Sequence, residues 1–136
     1  MTIIVCIDER DGLLFLGKRQ SRDAAVRDYI LRAKKKGRLL MNAYSARQFD
    51  STDDITVTED PALLAREDDV CFLENLPIPL ADSHTVIAIL WNRHYPADTR
   101  LDRETLTKCF TPVKTEEFRG KAHEKITVIT YRRNTP

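Results

Sequence analysis

The apolar residues of this chain are gathered into short runs that polar residues keep apart. The longest, Thr85-Val86-Ile87-Ala88-Ile89-Leu90-Trp91, spans seven residues. A β-branched run of that length reads as a buried strand, and it falls far short of the roughly 18 to 20 residues of a membrane-spanning helix. Thr2 to Asp8, Arg38-Leu39-Leu40-Met41 and Val70-Cys71-Phe72-Leu73 read the same way, and Asp54 to Thr58 alternates like a half-buried strand. Between the first two strands, Ala25, Val26, Tyr29, Ile30 and Ala33 recur at helical spacing. Ser21 would cap that helix, Lys34 to Lys36 would form a basic last turn, and Gly37 would stop it. Asn42 to Phe49 reads as a tight turn into a short helix, and Asp60 to Arg66 as a short helix with Pro61 in its first turn.

Three stretches carry less pattern. Glu9 to Gln20 is a long loop or a short hairpin around Asp11-Gly12. Leu76 to Ser83 holds two prolines and at most one helical turn, and Arg93 to Asp102 reads as a loop. Cys109 to Glu117 and Lys125 to Arg132 read as two terminal strands, joined by a loop with Gly120 and His123. Strands and helices alternate at the start and only strands close the chain. That order predicts one α/β domain over residues 1–136, a mixed, mostly parallel sheet with helices on both faces and C-terminal antiparallel strands.

Of the 136 residues, 42% are hydrophobic and 32% charged, the latter above the roughly 25% of an average domain. One core can be buried and the surface is well solvated. The opening Met1-Thr2-Ile3-Ile4-Val5-Cys6-Ile7-Asp8 lacks the basic start of a signal peptide. Cys6, Cys71 and Cys109 are odd in number and widely spaced, which suits reduced thiols rather than a disulfide framework or a zinc site. Together these predict a cytoplasmic location with no membrane partner. Cys6 and Cys71 lie inside apolar runs and read as core thiols.

The net charge of +1 hides an asymmetry. Arg10 to Arg38 holds ten basic and three acidic residues, a balance of +7; Asp50 to Glu74 holds nine acids and one base, a balance of −8. Such a dipole could steer an anionic ligand, or pair two copies into a homodimer, or simply mark two solvated faces. Arg19 to Arg38 could also contact a nucleic-acid backbone. Tyr29 is the sole aromatic residue between Arg19 and Arg38, however, and the pI of 7.7 lies below the basic range, so nucleic acid is the weakest of these partners.

Candidate chemistry is sparse. Asp28, if buried at a strand-end crevice, could hold the edge of a cationic or amidine-like heterocycle and donate a proton; on an exposed helix face it would pair with Arg32. Glu74 and Asn75 end an apolar strand, where open α/β sheets bind ligands, or they simply open a polar loop. Tyr44, Trp91 and Tyr95 could line a pocket or pack inside. His84, His94 and His123 lack metal spacing, and His123 beside Glu124 is either a general base or a surface histidine. No Gly-x-Gly-x-x-Gly, P-loop or Gly-x-Ser-x-Gly motif occurs, so neither a standard nucleotide site nor a serine-hydrolase elbow is signalled.

Several strings in this order resemble dihydrofolate reductase. TIIVCID resembles that family's first strand, LLMNAYSARQF its phosphate-receiving strand, turn and helix, DITVTEDPALLA its next strand–helix unit, and VCFLEN its central strand. TVIAILWNRHYPADTRLD resembles the following strand with its Asp-Thr, here Asp98-Thr99, and HEKITVITYRR the closing strand. The resemblance implies Asp28 as the catalytic carboxylate with Tyr29 beside it. It implies Asn42, Ser45 and Thr99 as ligand contacts, beside Glu74 and Asn75 at the strand end, and the histidine spacing predicts no metal. It departs from the family where the cofactor would sit. Leu73-Glu74-Asn75 replaces the glycine pair that admits a pyrophosphate, and Ala43 stands where a base would pair with the 2′-phosphate. Twenty residues, Asp50 to Asp69, replace a longer span that builds the adenosine pocket, and the tryptophan of the mobile loop is missing. These departures count against NADPH-dependent reduction and leave the cofactor unassigned. They fit a divergent protein that binds a small planar or anionic metabolite at the strand ends.

Overall fold

Alternation inside the first strand divides the interior in two. In β1 (Thr2–Ile7), Ile3, Val5 and Ile7 pack into one cluster and Ile4 into another. A strand covered on both faces reads this way because successive side chains point to opposite sides. The computed structural model describes residues 1–135. After β1 come β2 (Gly12–Phe15), β3 (Lys18–Arg19), α1 (Ala24–Ala33), β4 (Leu39–Met41), α2 (Ala43–Ala46), β5 (Thr56–Val57), α3 (Pro61–Leu64) and β6 (Val70–Phe72). A single 3₁₀ turn (Leu80–Asp82) precedes β7 (Thr85–Leu90), β8 (Thr99–Arg100), α4 (Arg103–Cys109), β9 (Phe110–Phe118) and β10 (Ile126–Arg133).

The main sheet runs β5-β4-β6-β1-β7-β10-β9. Its first five strands are parallel, and β10 and β9 join antiparallel. This is the mixed, mostly parallel architecture that the strand order predicts. Val26 and Ile30 bring α1 onto one face with Ile4, Ile87 and Ile89; Leu106 brings α4 onto the other with Val5, Val86 and Ala88. No helix among the described residues is long and apolar enough to cross a membrane.

The structure corrects the sequence reading at several boundaries. The hairpin after β1 turns at Leu16-Gly17, both at positive φ (52° and 73°), rather than at Asp11-Gly12. Two consecutive positive-φ residues suit the twist of a two-residue hairpin turn. The resulting β2 also pairs with β8, so the expected loop from Arg93 to Asp102 contributes a strand to a second sheet, β3-β2-β8. The unexpected helix α4 carries a legible signal. Asp102 accepts from Thr105 N at 3.0 Å, and Leu101 and Leu106 bracket the cap and lie buried in one cluster. The cap of α1 is Asp23, not Ser21, and α1 ends at Ala33. Lys34 to Lys36 therefore lie beyond the helix, where Lys34 ion-pairs with Asp54.

The charged segments meet each other within the chain. Arg19 pairs with Glu74, Arg38 with Asp69 and Lys34 with Asp54, so the acidic stretch neutralises part of the basic one. Gly37 lies at this seam. A Cβ there would fall 2.1 Å from the backbone oxygen of Asp68, and backbone cannot step aside as a side-chain tip can. Gly37→Ala is expected to lower stability by roughly 1 to 3 kcal/mol through overpacking. Urea unfolding checks this, and an unchanged midpoint would contradict the close approach.

Candidate functional site

Polar groups gather where the parallel strands end. Glu74 follows β6 and is 8% exposed. A buried carboxylate must be matched, and Glu74 is matched four times. Arg19 Nε donates to Oε2 at 2.9 Å and Nη2 to Oε1 at 3.0 Å; Ser45 Oγ and Gln48 Nε2 donate to Oε1 at 2.7 and 3.1 Å. The Arg19 guanidinium also lies 4.3 Å from the centre of the Tyr44 ring. Beside this plug, Asn42 Nδ2 donates to Asn75 Oδ1 at 2.8 Å while Asn42 Oδ1 caps α2 through Ser45 N. The first amide of α2, Ala43 N, donates to Glu59 Oε2 at 3.0 Å.

Asn42, Ser45, Glu74 and Asn75 are thus brought together, with their polar atoms directed at protein partners. Three other expected site residues lie elsewhere. Asp28 sits on the exposed face of α1, and no hydrogen bond or ion pair engages its carboxylate among the described residues. The expected crevice-facing carboxylate is not Asp28, because the buried side of α1 is set by Val26 and Ile30. Tyr29 turns toward the C-terminal hairpin, where its hydroxyl donates to Glu116 at 2.7 Å and its ring stacks on Phe118. Thr99, exposed in β8, donates to Asp98. The crevice interior, between Cys6, Leu13, Leu73, Glu74 and Trp91, retains about 10 Å³, room for a single water. Gln20 Oε1, which lines it, is buried without a hydrogen-bond partner among the described residues.

Outside the plug lies an open basin of about 410 Å³ lined by Lys18, Arg19, Ser21, Arg22 and Tyr44. One wall leads to a second buried cluster that the sequence did not disclose. Asp23, 3% exposed, accepts from Ala25 N, Lys121 N and Ala122 N at 2.7 to 2.9 Å and from His123 Nδ1 at 2.9 Å. His123, far from being a surface histidine, is 4% exposed and stacked on Trp91 with ring centres 4.8 Å apart. Its Nε2 meets Ser21 Oγ at 3.0 Å and Tyr95 Oη at 3.1 Å. Burial opposes ionisation of Asp23, but the hydrogen bonds from His123 and the three amides outweigh it and hold the carboxyl well below its usual range. Asp23, like Ser21, is a good cap residue in the sequence; its contact with residues 120–123 is a tertiary fact without a local signal. Burial pushes the Cys71 thiol up to about 11, as a core cysteine requires.

No protein-family model and no curated protein matches this chain. Among solved structures it is similar to dihydrofolate reductase from Enterococcus faecalis, determined with NADP(H) and RAB-propyl. The two superpose with a TM-score of 0.68 over 98% of this chain and 96% of that one, at 11% sequence identity. The chain therefore has a dihydrofolate reductase-like fold, which at this identity says nothing of activity.

Proposed function

We propose that this dihydrofolate reductase-like scaffold binds a small anionic metabolite in the basin at its strand ends. The observation that carries the reading is the lining of that basin. Lys18 and Arg22 sit there with no ion pair among the described residues, while the charge of Arg19 is answered by Glu74. Counted with Glu74, the basin bears two uncompensated positive charges beside the Tyr44 ring, and its volume is in the range of small-molecule sites. A carboxylate or phosphate would meet the cations, and a planar group would lie against the ring.

The residues facing the cofactor position do not suit a dinucleotide. The Glu74 carboxylate stands where a pyrophosphate would need backbone amides, and Ala43 N, the amide a phosphate would seek, already serves Glu59. The reading accordingly contains no hydride step. A second copy of the chain or a nucleic acid is less supported as partner, since Arg19, Lys34 and Arg38 are paired within the chain.

Calorimetric titration with benzoate and with inorganic phosphate tests the reading. Binding should weaken as salt is raised, because exposed charges carry it. The Lys18→Gln/Arg22→Gln double variant should weaken it at least about tenfold, on the order of two small charge-assisted contacts. No heat from either anion, or equal affinity in the variant, would remove the basin as the binding site.

A further inference from the structure

The geometry points to Ser21 as a nucleophile for acyl transfer, with His123 as its general base and Asp23 as the group that orients the histidine. The inference rests on the basin reading for its substrate class, small esters bearing an anionic group.

Each link is of hydrogen-bond length. Ser21 Oγ lies 3.0 Å from His123 Nε2, and His123 Nδ1 lies 2.9 Å from Asp23 Oδ2. A carboxylate next to Nδ1 makes that nitrogen the donor, so Nε2 is left as the acceptor that a serine hydroxyl needs. Asp23 cannot drift, because three backbone amides fix it from two segments, the start of α1 and residues 121–122. The imidazole cannot rotate freely either, because Trp91 covers one ring face. The histidine is therefore preset in tautomer and orientation while Ser21, half-buried, lines the open basin. The arrangement needs no strand–turn–helix elbow, which is why the absence of Gly-x-Ser-x-Gly does not bear on it.

Tyr95 supplies the remaining part. Its hydroxyl is 3.1 Å from His123 Nε2 and 3.4 Å from Ser21 Oγ. In the resting state both hydroxyls compete for one acceptor. Once Nε2 has taken a proton it becomes a donor, and the Tyr95 O–H is released to face the oxygen developing charge next to Ser21. Ser21 Oγ bonds to the ester carbonyl carbon while its proton passes to Nε2. The carbon–alkoxide bond then breaks and the alkoxide leaves with that proton. Water attacks the acyl carbon, gives a proton through Nε2 back to Ser21 Oγ, and frees the carboxylic acid.

The test uses the full chain with 4-nitrophenyl acetate, a neutral ester, and mono-4-nitrophenyl succinate, an anionic one, followed by peptide mass spectrometry. A burst of 4-nitrophenolate is expected with both, with the acyl group on Ser21. Ser21→Ala should abolish that modification and the burst with it, since no acyl-enzyme can accumulate without the nucleophile. Tyr95→Phe should slow acylation while the fold, read by circular dichroism, is kept. The anionic ester should acylate about tenfold faster than the neutral one at low salt. Absence of a burst, or acylation confined to lysines, would overturn Ser21 as nucleophile and leave the anion-binding reading to its own titration. Acylation of Ser21 at equal rates by both esters would overturn the anionic substrate class and count against the basin reading.

Discussion

Asp23→Ala is expected to remove roughly 3 kcal/mol or more of stability, because it leaves several buried donors without their acceptor. The carboxylate is a cap, the acceptor for a buried histidine and a loop anchor at once. It accepts from Ala25 N at the start of α1, from Lys121 N and Ala122 N, and from His123 Nδ1. Its loss orphans three amides and a buried imidazole, and unmet buried donors cost more than the bonds themselves contribute. Gly120 shows how tightly the anchor is fitted, since a Cβ there would lie 2.6 Å from Asp23 Oδ2. The pH dependence has a definite sign. The folded-state pKa of Asp23 is depressed, so its contribution is present above the ordinary carboxylate pKa of about 4 and is lost as pH falls toward the folded value. Asp69, held down chiefly by its hydrogen bond from Arg38, acts in the same direction. Urea midpoints measured from neutral pH downward should therefore fall below about pH 4, less steeply in the variant. A variant within about 1 kcal/mol of the parent, with the same acid slope, would show that the cluster does not hold the fold.

Glu74→Ala is expected to cost about 3 kcal/mol, because Arg19, Ser45 and Gln48 all lose the acceptor they share. Arg19 is 21% exposed at its side chain against 7% for Glu74, so the arginine can turn partly to water and the loss falls at the lower end of the buried-pair range. Replacing both partners separates pairing from packing. The Arg19→Met/Glu74→Leu double variant should be more stable than Glu74→Ala by about 1 kcal/mol or more, since no buried charge is left behind, and should stay below the parent because Ser45 and Gln48 still lack their acceptor. Thermal unfolding of the two variants beside the parent reads the difference directly. A double variant as unstable as Glu74→Ala would mean that the pair is worth more than an apolar replacement at the centre of this crevice.

Strand runs were the most legible part of the chain. The Thr2 to Asp8 and Thr85 to Trp91 runs lie adjacent and parallel in the sheet, and the alternation of Ile3, Ile4 and Val5 anticipates a strand covered on both faces. The candidate site was legible in part. Glu74 and Asn75 do end a central strand beside Asn42 and Ser45, as a polar break after Val70-Cys71-Phe72-Leu73 suggested. Asp28 comes from the resemblance, and its place on the exposed face of α1 is set by which side of the helix the sheet covers. The cap of α4 at Asp102 is a local signal, weaker than the strand pattern that follows it.

Sequence alone determined the α/β class, the parallel order of the first strands and the antiparallel close, because side-chain periodicity and run length are local properties that burial simply enforces. Tertiary structure alone decided that Glu74 closes the crevice with Arg19, 55 residues away, and that Ser21 and Asp23 meet His123 across about a hundred residues. The reason is physical. A buried polar atom must find a partner, and which partner it finds depends on chain geometry that no local spacing encodes.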